Sequence, residues 1–210
     1  MTKAFSEAKI LNTPLGEIRV EGPVEAANLE KMFLNKKLTS FRPADRQKEA
    51  LIKISKLPEG MIYAARIGRE IIGYLTFHYP SGYSRWSKHP RVLELGGIEV
   101  SPDWRKNGIG TTLLRKAFTN PVVEDYIVIA IEFCWHWDLK GSGLGLMAYR
   151  RMLVNSFKSV GLENRATDDP DITEDPANVL AVYFGKNVSK DNIMLFESML
   201  FNNRHTVEFR

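Results

Sequence analysis

The chain has 210 residues, 44% hydrophobic and 26% charged, with a formal net charge of +4; that is the composition of one globular domain with a real core, and so small a positive excess demands neither nucleic acid nor an anionic membrane as partner. No apolar run approaches the ~20 residues that cross a bilayer. The polar segment 1–9 has no apolar centre for export, and the single cysteine, Cys134, forms no internal disulfide, so a cytoplasmic protein is expected.

Residues 15–20 alternate apolar and polar around Ile18 and Val20, a short first strand closed by Gly22 and Pro23. Leu29, Phe33 and Leu34 stand at helical spacing and predict a helix over 24–38; a second, with Pro43 in its first turn, is predicted over 43–57. Residues 61–67 and 71–79 read as a hairpin around Gly68, Arg69 and Glu70. A strand over 91–100 then runs through a short basic turn into a helix over 110–118, with Ile109, Leu113, Leu114 and Phe118 on one face. Residues 126–133 are apolar enough for a strand buried on both faces, and two strands joined through a helix predict a parallel pair. A helix over 144–157 and a strand over 163–167 follow. The acidic stretch 168–175 reads as a solvated loop that attracts a basic surface. It leads to Pro176, with Asp175 as N-cap, and so to helices over 177–184 and 190–202, with a last strand over 205–209.

The turn between the strand and helix at 100–118 has the features of a diphosphate site. Gly108 and Gly110 are expected to let the backbone curl at positive φ with its amides inward. The amides of Ile109, Gly110 and Thr111 open the helix, where unpaired N–H groups and the positive end of the dipole coincide. Arg105 and Lys106 add full charge beside Asn107.

Arg105, Lys106, Asn107, Gly108, Ile109 and Gly110 resemble motif A of the GNAT acetyltransferases. The order of elements over 16–167 is similar to that family's as well. The segments Phe41-Arg42-Pro43, Leu57-Pro58-Glu59-Gly60, Trp135 through Gly141, and Ala166 through Pro170 resemble the acetoin-utilization group of bacterial GNAT enzymes along nearly the whole chain. The resemblance implies an α/β (α+β) fold, a mixed and mostly antiparallel sheet whose central parallel pair splays, with flanking helices. It implies acetyl-CoA as co-substrate, bound also through the main chain at Ile98, Glu99 and Val100. A protein lysine on acetyl-CoA synthetase is the implied acceptor. Residues 168–210 depart from the minimal pattern and are expected to be a helical elaboration, with a possible last strand, on the 16–167 domain.

Attack by a lysine on a thioester needs a neutral amine, and a reference pKa near 10.4 sets ~4.6 kcal/mol against that form at pH 7. A base must take the proton, backbone donors must meet the oxyanion, and the leaving thiolate calls for an acid. By resemblance, Glu94 stands eleven residues before Arg105, where histone acetyltransferases carry their base. Glu132 ends the apolar run Ile127–Ile131, the base position of bacterial ribosomal-protein acetyltransferases. Either is the expected base, ahead of Glu99, which alternates to the face opposite Glu94. Phe157 stands where many relatives place an acidic tyrosine, so Tyr149, two turns earlier, is the substitute. If the strand persists past Glu132, Trp135 and Trp137 share one side as an aromatic rim. Cys134 beside His136 and Glu132 offers a nucleophilic thiol as a rival mechanism. Gly141 through Gly145 lacks the last glycine of a dinucleotide turn. His136, Glu132 and Asp138 are too thin a set for a metal, so none is expected. Rival functions are acetylation of a small amine and a non-catalytic acetyl-CoA-binding module.

Overall fold

A computed structural model describes residues 7–201, and its sheet begins one strand earlier than expected. β1 (Lys9–Thr13) forms a hairpin with β2 (Gly16–Glu21) in register Thr13 to Gly16. Only Leu11 and Thr13 of β1 are partly buried, so its alternation left little mark in the sequence. The helix expected over 24–38 shrinks to α1 (Ala26–Glu30), followed by β3 (Phe33–Leu34). Phe33 N donates to Arg69 O at 3.1 Å and Asn35 N to Ile71 O at 2.8 Å. The backbone is thereby drawn to a strand edge instead of its own i−4 carbonyls.

α2 (Ala44–Ser55) starts after Pro43 as expected and buries Leu51 against Leu29, Leu34, Leu38, Ile62, Ala64, Ile71 and Tyr74. β4 (Met61–Ile67) and β5 (Glu70–His78) form the expected hairpin, and β6 (Val92–Val100) lies antiparallel to β5. α3 (Ile109–Phe118) covers the opposite face. Its Ile109, Leu113, Leu114 and Ala117 meet Tyr63, Ile72, Leu75, Phe77 and Val128 in the largest core cluster. Each fully buried aliphatic or aromatic side chain of such a layer contributes roughly 1.5–3 kcal/mol of transfer free energy.

β7 (Ile127–Glu132) pairs parallel with β6 over only three residues, Val92 to Ile127 through Glu94 to Ile129. Beyond that point β6 stays with β5 while β7 goes on beside a different strand, and a fork opens. Gly96 is an extra residue at the same place, because Thr76 pairs with Gly97 and Phe77 with Leu95. A bulge of this kind bends its strand and increases the local twist.

After α4 (Leu139–Ser142), α5 (Leu146–Lys158), β8 (Glu163–Asn164) and α6 (Pro170–Thr173) comes the main correction. Residues 177–184 do not form a helix: Val179–Phe184 is β9, antiparallel to β7 on one side and to β8 on the other. Val179 and Ala181 face the α3 core, whereas Leu180 and Val182 face the core beneath α7 (Lys190–Leu200). A strand buried on both faces shows no polar alternation. Asp175 accepts from Ala177 N at 2.7 Å in a local turn, and the proline that opens a helix is Pro170, with Asp169 as its cap. The acidic stretch is not wholly solvated either: Arg85 binds Asp168 at 2.5 Å and Asp169 at 3.2 Å. The strand expected over 163–167 is shortened to Glu163–Asn164, and that over 205–209 lies outside the described residues.

The sheet order is β1-β2-β4-β5-β6-β7-β9-β8, with β3 beside β5. It is antiparallel except for β6/β7 and the short β3/β5 pair. The segment after residue 167 therefore places β9 inside the same sheet.

Candidate active site

Two residues of the turn after β6 have left-handed backbone, Lys106 at φ 65° and Gly108 at φ 73°. Gly110, expected to share that role, lies inside α3 instead; a Cβ there would touch only Ile98 and Val100, both at 3.9 Å. Gly108 caps α3 with no side-chain hydrogen bond, and the first acceptor contact comes from Thr112 N to Gly108 O at 3.0 Å. The amides of Ile109, Gly110 and Thr111 thus have no acceptor among the described residues. Around Gly108 the space is open, since a Cβ would meet nothing within 4 Å. Asn107 holds the turn's shape by donating to Trp104 O at 3.2 Å and Arg105 O at 3.1 Å. Converging unpaired amides at a helix N-terminus fit a diphosphate, with Lys106 exposed beside them.

Arg105 brings its charge already paired. Its guanidinium binds the Asp138 carboxylate, and Nε donates to Val100 O at 3.1 Å. Asp138 also caps α4 through Gly141 N at 2.7 Å. Arg105 and then Gly141 N hold its carboxyl below the usual range. The glycine-rich segment 141–145 serves this short helix and its link to α5, with Gly143 at φ 71°.

Glu132 is the last residue of β7. It keeps some exposed surface, yet its carboxyl lies deep in the protein mass, and burial pushes it up to about 7 against a weaker pull from the Trp137 indole. That indole N–H is buried and closes no hydrogen bond of normal geometry, so its influence is one of approach. Trp137 stacks on Tyr149 with ring centroids 5.2 Å apart. Burial, and after it the Glu132 charge, raises the Tyr149 phenol. Glu132, Trp137, Tyr149, Asp138 and Arg105 therefore form one group on the α3 side of the fork.

The other face carries a second group. Glu94 lies opposite His78, and Glu99 opposite Tyr74; because the two β5 residues are four apart, both glutamates share a face. Simple alternation predicts opposite faces, and the extra residue at Gly96 reverses it. Glu99 is 5% exposed and committed: Tyr74 donates to it at 2.6 Å and Ser40 N at 2.8 Å. Glu94 is raised by burial and drawn back by His78. Ile98, Glu99 and Val100 pair with β5 on one side and have no β7 partner on the other.

The strand stops at Glu132, so the expected division of Trp135 and Trp137 to one side does not arise. Trp135 stacks on Phe133 at 4.6 Å, while Trp137 is buried beneath. His136 meets Phe41 edge-on at 6.5 Å, and Phe41 lies over Gly97, where a Cβ would be 3.1 Å from its ring. Cys134 faces Asp175, not His136; burial and that carboxylate push its thiol up. No group of three His, Cys, Asp or Glu residues suited to a metal ion occurs among the described residues. No helix there is long and apolar enough to cross a membrane. No local signal in the sequence marks the place of His78 opposite Glu94, of Phe41 over Gly97 or the pairing of Asp138 with Arg105, all of which depend on residues far apart in the chain.

Residues 30–120 match the profile of the acetyltransferase (GNAT) family. The chain is 43% identical to an acetoin utilization protein AcuA of Bacillus licheniformis over 199 residues, 94% of this chain and 95% of the relative. It is 42% identical to AcuA of Bacillus subtilis, over 97% of each. A crystal structure of an acetoin utilization protein from Exiguobacterium sibiricum superposes with a TM-score of 0.94 at 41% identity, covering 97% of both chains.

Proposed function

Since the chain belongs to the AcuA family of GNAT acetyltransferases, and is thus an acetyl-CoA-dependent acyltransferase, we propose that it transfers the acetyl group to the side-chain amine of a protein lysine. Acetyl-CoA synthetase is the protein that the sequence resemblance implies. The observation that carries the proposal is the end of β6/β7 pairing at Glu94 and Ile129. It leaves an opening between two strands, a carboxylate on each face, and a turn of unpaired amides at the far end of β6.

In this reading the amides of Ile109, Gly110 and Thr111, with Lys106, hold the diphosphate of acetyl-CoA. The main chain at Ile98, Glu99 and Val100 lines the pantetheine arm. Acetyl-CoA supplies an activated acyl group whose leaving atom is sulfur. α5 buries only Phe157 fully, which suits a helix whose remaining inner face covers a bound ligand. Arg105 takes no phosphate in this reading; through Asp138 it fixes the link between the turn and α5.

The two carboxylates divide the proton work. Glu94 supplies the negative charge that draws the proton off the acceptor amine on its face. On the α3 face, Glu132 is raised to about 7, so it exists in both forms near neutral pH. With Tyr149 it can return a proton to the departing thiolate. General acid–base help of this kind contributes about 10²–10⁴-fold.

Incubation with acetyl-CoA and acetyl-CoA synthetase, followed by mass-spectrometric mapping, tests the proposal. New acetyl groups on lysine are expected. Acetylation of small amines alone would favour the small-amine reading, and binding of acetyl-CoA with no transfer would favour a regulatory module.

A further inference from the structure

Two segments far apart in the chain, Phe41-Arg42-Pro43 and the one that begins at Trp135, meet across the fork. The first belongs to the β6 arm. Ser40 N donates to the buried Glu99 at 2.8 Å, and Tyr74 holds the same carboxylate at 2.6 Å, so the stretch before α2 is tied to β6. That tether lays the Phe41 ring on the bare backbone of Gly97, where a Cβ would stand 3.1 Å from Cζ.

The β7 arm supplies the other rings. Ile129 and Ile131 of β7 and Val92 of β6 face the core beneath α7. Phe133, two residues after Ile131 with extended backbone at φ −101° and ψ 127°, and Glu94, two after Val92, therefore share that face. Trp135 stacks on Phe133 with ring planes 12° apart. His136 stands edge-on to Phe133 at 6.2 Å, to Trp135 at 5.9 Å and to Phe41 at 6.5 Å. It joins rings from both arms beyond the point where β6/β7 pairing ends.

Core packing does not account for this group. Trp135 is 53% exposed and Phe41 42%, whereas Tyr63, Tyr74 and Phe77 of the neighbouring strands are fully buried. Cation–ring contacts among the described residues are Arg85 on Trp86 and Arg165 on Phe184, so no lysine or arginine there covers these faces. Exposed rings gathered at one opening mark a binding surface. Ring faces without an internal cation suit a guest with an apolar stem and a positive end.

We infer that Phe41 and Trp135 are specificity-determining residues for the acceptor, their exposed ring faces receiving the side chain of the protein lysine to be acetylated. The inference rests on reading the fork as the site of acetyl transfer to lysine. The four-carbon stem of lysine lies against the rings and its ammonium end is drawn over their faces, toward Glu94 on the same side of the sheet. Because both rings stand open to solvent instead of closing a cavity, the main chain of the acceptor protein stays outside. A small amine has no such second part to leave there.

The test uses the full-length enzyme, saturating acetyl-CoA and acetyl-CoA synthetase at varied concentration. Phe41→Ala and Trp135→Ala are each expected to raise the KM for the synthetase about tenfold, with kcat within about twofold of wild type. Acetyl-CoA Kd, measured by calorimetry, should not change, which shows that the fold and the diphosphate turn are intact. Phe41→Tyr and Trp135→Phe keep an aromatic face and should hold KM within about threefold of wild type. Phe41→Leu keeps apolar bulk without that face and should raise KM at least about fivefold, an outcome that stands even if an alanine variant fails to fold. Wild-type KM in Phe41→Leu and in the alanine variants that fold overturns the inference while acetyl transfer to lysine stands. A wild type that places no acetyl group on lysine removes both.

Discussion

The guanidinium of Arg105, on the turn after β6, is bound to the carboxylate of Asp138, which caps α4 thirty-three residues later. One ion pair joins the turn read as the diphosphate site to the segment that carries Trp137 and leads to Tyr149. The strand pair itself has already parted at that level, so this contact couples the two arms of the fork.

Asp138→Asn keeps a side chain able to cap Gly141 N and removes only the charge. With Asp138 37% exposed, solvent screens the pair, and the expected loss is about 1 kcal/mol at pH 7. The Asp138 carboxyl is held low when folded. Its contribution is therefore complete above the usual carboxylate range and is lost as pH falls through its depressed value. Urea unfolding of variant and wild type should differ at pH 7 and converge in acid. A constant difference at all pH values would mean that the pair carries no charge-dependent stability.

Glu132 titrates with the opposite sign. Its carboxyl rises from 4.5 to about 7 on folding. Both states hold the proton below pH 4.5, and only the folded state holds it between there and about 7. Stability should therefore fall across that window by up to about 3 kcal/mol and remain at the lower level above it. Glu132→Gln removes the slope, so the variant should be the more stable protein at pH 8. Thermal unfolding across pH 5–8 measures this directly, and a wild-type curve flat over that range would contradict the burial of the carboxyl.

Gly108→Ala tests the turn. Its φ of 73° costs an alanine about 1 kcal/mol, but no neighbour blocks the methyl group. The folded protein should survive while the methyl intrudes on the open amides, raising acetyl-CoA Kd at least about tenfold by calorimetry, or 1.4 kcal/mol. Unchanged affinity would move the diphosphate away from this turn.

Cys134→Ala should keep full turnover. The thiol is pushed up by burial and Asp175, which lowers the thiolate fraction that a ping-pong route needs. Intact-mass measurement after mixing with acetyl-CoA should show no acetyl-enzyme. A stable acetyl adduct lost in the variant would replace direct attack with a covalent mechanism.

The readable parts of the chain were local. Arg105 through Gly110 and the helix after them lie in one unbroken stretch, and the apolar run of β7 announced a strand covered on both sides. β9 carries the same kind of run, Val179 through Phe184, but its acidic approach and the nearby proline suggested a helix start; nothing local showed that β7 and β8 flank it. The shared face of Glu94 and Glu99 was hidden for a different reason. It depends on one unpaired residue, Gly96, and a bulge exists only when two strands are set in register. His78, Phe41 and the Arg105–Asp138 pair are likewise products of long-range pairing, so spacing along the chain cannot show them.

The most direct measurement is the yield of acetyl-lysine on acetyl-CoA synthetase per coenzyme A released, compared between the wild type and Glu94→Gln under saturating acetyl-CoA. One acetyl-lysine per coenzyme A is expected in the wild type, with turnover at least about tenfold lower in the variant and the same acetyl-CoA affinity. Coenzyme A released without lysine acetylation, or a variant that transfers at the wild-type rate across the pH range, would contradict it.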